Sequence, residues 1–108
     1  MPSYSKYDVI LVRYPFSDRS SSKVRPAVVI NNPHSSQDLF VVPLTSQLSN
    51  LLAGEFILNH WKEAGLNVPS AVKRGLYTLH ETLVVKEIGK LSERDRQELH
   101  KTLETWLN

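Results

Sequence analysis

Cysteine is absent from this 108-residue sequence. Neither disulfides nor thiolate-bound metal can hold the fold together, so a disulfide-stapled secreted class is not expected. Long apolar runs are missing as well. None reaches membrane-spanning length, and the first residues, MPSYSKYDVI, lack the basic start and apolar core of a signal peptide. A cytoplasmic protein with no membrane association is the expectation. The histidines His34, His60, His80 and His100 stand 26, 20 and 20 residues apart, leaving no short-range metal-ligand pair. No metal and no cofactor is expected. A glycine-rich phosphate loop and a nucleophile elbow are also lacking, and the serines of SDRSSS read as loop filler.

What is present suits one core and one domain spanning residues 1–108, with 41% hydrophobic and 22% charged residues. The formal charge is +2 and the isoelectric point about 9.0, a mild bias toward an acidic partner. Distribution sharpens that bias. Residues 1–91 carry ten Lys/Arg against seven Asp/Glu, while residues 92–108 carry three against four. Arg13, Arg19, Lys23 and Arg25 place much of the excess around one polar stretch.

Along the chain, Tyr7 to Tyr14 (YDVILVRY) is rich in β-branched and aromatic residues and reads as a strand covered on both faces. Ala27 to Ile30 and Leu39 to Leu44 repeat that character, and Pro43 marks an edge or bulge. Short polar connections between these runs favour antiparallel pairing, since parallel strands need long crossovers. Glu55 to Leu58, Ala71 to His80 and Thr82 to Leu91 are further strand candidates. Gly75 suggests a bulge or a close backbone approach in the second of these. Asn59 to Leu66 reads as one helical turn or a long loop. From Ser92 the period changes: Ser92 and Asp95 resemble a capping box, and Leu99, Leu103, Trp106 and Leu107 fall on one helical face. The expected class is α+β, mainly β: a small twisted antiparallel barrel or half-barrel with a C-terminal amphipathic helix.

The segment Tyr14 to Asn32 organises this pattern. Its polar stretch Ser17 to Lys23 is expected to be a surface loop joining two strands, and Pro26 to hold Arg25 in an extended backbone where loop meets sheet. Arg25 offers an always-charged fork suited to phosphate, and Thr45 and Ser46 offer hydroxyls at a strand end. Alone, each has an ordinary explanation: a surface cation beside a proline, and a strand-end hydroxyl bonding its own backbone.

Together these stretches resemble the MazF/PemK family of toxin endoribonucleases from bacterial toxin–antitoxin systems. YDVILVRYPFSD resembles the family's opening strand, KVRPAVVI its Arg-Pro strand, VVPLTSQLS its third strand with the Thr-Ser turn, and GLNVPSAVKRGLYTLHETLVVKEIGKLSERD onward its second half. The resemblance implies an SH3-like antiparallel barrel with a C-terminal helix and a homodimer. It also implies metal-independent cleavage of single-stranded RNA by 2′-OH attack, and inhibition by a cognate antitoxin that docks in the RNA groove; DNA binding would come with the antitoxin complex. It assigns Arg25 and Thr45 as catalytic residues. Ser46, Gln47, Tyr14, Lys23, Lys73, Tyr77 and His80 are candidate RNA contacts, with Phe16 a further aromatic candidate more suited to the core. The departure lies at Lys73 to Thr78, where many members carry an Asp-Gln pair whose aspartate has been proposed as general base. KRGLYT has neither residue, so the base is unassigned, with His80 as a possible substitute. Two other readings share this fold: a non-catalytic RNA-binding barrel, and a gyrase poison of the CcdB type that would not need Arg25 or Thr45.

Overall fold

The computed structural model describes residues 4–14 and 23–108, and for Tyr14 the backbone only. Among the described residues seven strands precede one helix: β1 (Asp8–Tyr14), β2 (Lys23–Val29), β3 (Asp38–Thr45), β4 (Phe56–Ile57), β5 (Ala71–Val72), β6 (Tyr77–His80), β7 (Val84–Lys90) and α1 (Glu93–Leu107). A 3-10 turn, Glu81–Leu83, sits between β6 and β7. All pairings are antiparallel, in the order β4-β5-β3-β2-β1-β7, and β6 joins the same edge of β3 as β5. This is the expected mainly antiparallel fold with a C-terminal helix. The sheet is not closed into a barrel, because among the described residues no ladder joins β7 to β4 or β6.

Strand alternation explains why both faces are covered. Val9 and Val28 point into one core with Leu44, Leu58 and Leu99, whereas Ile10, Val12, Ala27 and Val29 point into a second with Val41 and Leu79. All of these side chains are buried. β2 begins at Lys23, earlier than the apolar run from Ala27 suggests, so Arg25 lies inside a strand and pairs with Val12. The polar-looking start of β2 is held by pairing with β1 rather than by burial, which hydropathy alone does not register. The proposed loop Ser17 to Lys23, apart from Lys23 itself, and Phe16 lie outside the described residues.

The run Ala71 to His80 is split into two strands. From Leu44↔Val72 an unbroken register would bring Gly75 to Val41, but Val41 pairs with Tyr77. Two residues are therefore extruded between Lys73 and Tyr77, which matches the bulge, one of the two readings of Gly75. Glu55 fixes this extrusion, accepting the Arg74 N–H at 2.8 Å and the Leu52 N–H at 2.6 Å.

Helix α1 starts as a half capping box. Ser92 Oγ accepts the Asp95 N–H at 3.2 Å, but the Asp95 carboxylate does not turn back to Ser92. It is fully buried and accepts from the Asn59 N–H at 2.9 Å, Asn59 Nδ2 at 3.0 Å and the His60 N–H at 2.9 Å. One helix residue thus anchors the 59–68 segment, which folds as consecutive turns closed by Gly65 N–H to Lys62 O and Leu66 N–H to Trp61 O. Farther along, Thr102 donates to Gly54 O at 2.8 Å and Trp106 Nε1 to Ala53 O at 3.1 Å. Leu99, Leu103 and Trp106 pack on the sheet, but Leu107 is 67% exposed. At 100° per residue Leu107 stands about 80° from Leu99, at the edge of the buried stripe, whose other places go to Asp95 and Thr102.

Candidate nucleic-acid interface

The geometry of the site begins with two prolines. β2 and β3 pair only from Val29↔Val41 to Ala27↔Pro43. Because the Ile30 N–H bonds Phe40 O, alternation makes Val28↔Val42 a hydrogen-bonded pair and Pro26↔Leu44 the next one. Pro26 has no N–H to give, so the ladder stops there. On its other side Pro26 still pairs with Leu11, where alternation asks no donor of it. If the β2–β3 register is carried two residues past its end, Arg25 stands across from Thr45. The two residues singled out by sequence therefore sit on facing strands where the sheet has opened.

A groove of about 1070 Å³ occupies this opening. Leu11, Pro26 and Pro43 line it, as do Val24 and Arg25 on β2 and Thr45, Ser46 and Gln47 at the end of β3. Lys73 and Tyr77 contribute from either side of the extruded turn, and the segment Gly65 to Val68 supplies another wall. β7 adds Lys86, Glu87 and Ile88.

Thr45 Oγ1 accepts the Gln47 N–H at 3.0 Å. That bond takes one lone pair and orients the hydroxyl, leaving its O–H proton to be donated to an anion. Arg25 is exposed and gives a long 3.3 Å bond from Nη1 to Val24 O, which leaves most of its five donors for a ligand. Among the described lining residues, Arg25, Lys73 and Lys86 are cations and Glu87 is the only acid. The balance favours a phosphodiester.

Of the candidates read from sequence, Arg25, Thr45, Ser46, Gln47, Lys73 and Tyr77 come together in this groove. Lys23 pairs with Tyr14 at the outer end of the β1–β2 ladder and is not among the lining residues; the Tyr14 side chain lies outside the described residues. His80 is not brought to the groove. It pairs with Asp38 at the far end of β6 from Tyr77, and its Nδ1 accepts the Thr82 N–H at 3.2 Å, capping the 3-10 turn. A histidine committed to a local cap there is poorly placed to serve Arg25 and Thr45.

Lys86, Glu87 and residues 66–68 are groove residues that the sequence did not single out. β7 carries register shifts against β1, pairing Gly89 with Val9 but Glu87 with Ile10, and Lys86 with Leu11 but Val84 with Val12. Each shift inserts an extra residue and re-aims its neighbours, so a simple two-residue period cannot assign the faces of VVKEIGK. The visible signal was Gly89, whose lack of a side chain lets the 59–68 segment approach β7.

The family model described as PemK-like, MazF-like toxin of type II toxin–antitoxin system matches residues 5–107. Among solved structures, the Mycobacterium tuberculosis toxin MazF-mt6 is similar with a TM-score of 0.69 at 19% identity, over 91% of this chain and 93% of that one. An endoribonuclease in complex with its cognate antitoxin from Mycobacterial species is similar with a TM-score of 0.74 at 13% identity, over 99% and 95%. At those identities the likeness concerns the fold. No curated protein sequence matches significantly.

Proposed function

Because the chain belongs to the PemK-like, MazF-like toxins of type II toxin–antitoxin systems, we propose that it is an endoribonuclease that cuts single-stranded RNA without a metal ion. The observation that carries this reading is the placement of Arg25 across from Thr45 where the β2–β3 ladder ends. RNA brings its own nucleophile. Catalysis then requires the 2′-OH to lose its proton, the phosphorane to be stabilised and the 5′-oxygen to leave, giving cyclic-phosphate and 5′-OH ends.

In this mechanism the oriented Thr45 hydroxyl donates to a non-bridging oxygen, and the Arg25 fork neutralises charge that grows in the transition state. The family picture also gives the arginine a general-acid role. A guanidinium holds its proton too tightly to donate it quickly, so its electrostatic part carries more weight. Ser46, Gln47, Lys73 and Tyr77 hold the flanking RNA, Tyr77 offering a ring for a splayed base. DNA lacks the nucleophile and survives.

A solved relative is described with its cognate antitoxin. By analogy an antitoxin segment is the partner here, blocking the groove by occupancy, and the toxin acts as a cytoplasmic homodimer. No described helix is long and apolar enough to cross a membrane.

Incubation of purified protein with a long RNA in excess chelator, followed by end mapping, tests the proposal. Cyclic-phosphate ends that vanish with Arg25→Ala are expected. Removing one such donor from a catalytic site typically lowers the rate ~100- to 1000-fold, so Thr45→Val should fall by that order and Thr45→Ser much less. Intact RNA would overturn the reading.

A further inference from the structure

The buried carboxylate of Asp95 on α1 has no part in the chemistry described so far. Its side chain is fully buried, and among the described residues no cation pairs with it. Burying a carboxylate without a counter-ion is unfavourable, and capping does not require it here, because Ser92 already accepts the Asp95 N–H. Both oxygens are directed to two adjacent residues of another segment. Oδ1 accepts from the Asn59 N–H and from Asn59 Nδ2, and Oδ2 accepts from the His60 N–H. The His60 ring adds a further tie, its Nδ1 lying 2.8 Å from Ser92 Oγ.

From this anchor a short chain of contacts leads to the groove. His60 O accepts the Ala64 N–H at 3.3 Å and Trp61 O the Leu66 N–H at 3.1 Å, so the turns carry the placement of residue 60 on to residue 66. Ala64 is fully buried, and Gly65 packs against the Ile88 carbonyl. On the far side Val68 O accepts from Ser70 Oγ at 3.0 Å, while the Leu58 N–H donates to Ser70 O at 2.9 Å and closes the base of the loop. Asn67 stands between these two held neighbours. Leu66 packs on the core, whereas Asn67 is exposed, lines the groove, and its amide makes no hydrogen bond with any described residue.

A side-chain amide both donates and accepts, which suits the edge of an unstacked base and owes nothing to phosphate charge. Its placement depends on Asp95. Arg25 and Thr45, by contrast, stand on β2 and β3 and receive no bond from that carboxylate.

Resting on the endoribonuclease reading, we infer that Asn67 binds a base of the RNA and that Asp95, reaching from α1, is the positioning residue that holds Asn67 in place. The helix thereby acts on recognition and leaves the cleavage step to Arg25 and Thr45. A carboxylate is required at position 95 because a side-chain amide there accepts at one atom only, and one of the two residues it holds would be released.

Asp95→Asn keeps the shape and loses one accepting atom, and Asn67→Ala removes the amide; thermal unfolding shows that each variant is folded at the assay temperature. Each should raise KM for RNA cleavage about tenfold with kcat kept, and should weaken binding of a mixed-sequence 2′-deoxy oligonucleotide, which lacks the nucleophile, by the same factor. The double variant D95N/N67A should bind no more weakly than N67A, since Asp95 acts only through the wall that carries Asn67. Losses that multiply would give Asp95 a general structural role and overturn the inference. So would a fall in kcat with KM unchanged, or wild-type affinity in either single variant. Should D95N not fold, Asn59→Ala, which removes only the Nδ2 bond, gives the same test: roughly threefold weaker binding in the wild-type background and no further loss in N67A, with an equal loss in both overturning the inference. The oligonucleotide is bound without being cut, so these affinities decide the matter separately. RNA left intact by wild-type protein overturns the endoribonuclease reading alone.

Discussion

Gly65 and Gly89 meet backbone to backbone. A Cβ on Gly65 would lie 1.8 Å from Ile88 O, and one on Gly89 would lie 2.5 Å from the Ala64 carbonyl carbon and 2.9 Å from Gly65 N. Gly65 also has a φ of +85°, which L side chains rarely adopt. The contact fastens the 59–68 segment to the bulged part of β7, and that segment presents Leu66, Asn67 and Val68 to the groove.

Gly65→Ala should therefore cost more than a surface substitution, about 2–4 kcal/mol from strain and displaced backbone. Urea unfolding gives the stability change, and RNA titration should show weaker binding in the fraction that remains folded. A variant as stable as wild type would mean that the segment is not clamped to β7.

Much of this arrangement was legible in sequence because it follows from local rules. β-branched runs marked β1 and β3 and the shift to helical period marked α1, whereas Arg25 and Thr45 were singled out by the family resemblance, each having an ordinary explanation on local rules alone. What escaped depended on register. Lys23 and Val24 join β2 by pairing with β1 although neither is buried, and Lys86 and Glu87 reach the groove through bulges that no two-residue period encodes. Asp95 read as half of a cap, whereas its carboxylate bonds residues 59 and 60, more than thirty positions away.

Salt should report the groove's cations. Single-stranded RNA binding weakens with a log–log slope of roughly −0.7 per neutralised phosphate, so Arg25, Lys73 and Lys86 together predict a slope of about −2. Lys73→Ala or Lys86→Ala should each make it shallower by about 0.7. Lys101→Ala, on the exposed side of α1, should leave it unchanged. Fluorescence anisotropy across a salt series measures these slopes, and equal slopes in all variants would place the RNA elsewhere.

Acid should loosen the extruded turn. Hydrogen bonds from the Arg74 N–H and then the Leu52 N–H hold the Glu55 carboxyl below its ordinary value of 4.5, with help from the Lys73 and Arg74 charges. A depressed folded-state pKa contributes stability that is present above the unfolded value and lost as pH falls through the folded one. Wild-type protein should thus lose more stability between about pH 5 and pH 3 than Glu55→Gln does, measured by urea midpoints. Because Arg74 follows Lys73 directly, RNA affinity should fall over the same acid range. Parallel pH profiles for the two proteins would show that Glu55 does not hold the turn.

Pro26 offers the sharpest test of how the groove arises. Pro26 stands at the hydrogen-bonding position facing Leu44, where its missing N–H ends the β2–β3 ladder. Pro26→Ala restores the donor without adding bulk. The ladder can then extend toward Arg25 and Thr45, drawing together the two strands between which the groove opens. Stability should change little, because a new hydrogen bond worth ~1 kcal/mol offsets the greater freedom of the unfolded chain. Cleavage should nevertheless fall by about tenfold or more if the open geometry is what serves the transition state. Hydrogen exchange reads the cause directly: the amide that Pro26→Ala introduces should be protected, and the Leu44 amide protected more than in wild type. Reduced cleavage with both amides exchanging freely would assign the effect to Arg25's backbone instead, since a residue before proline is held extended and is released when the proline is removed.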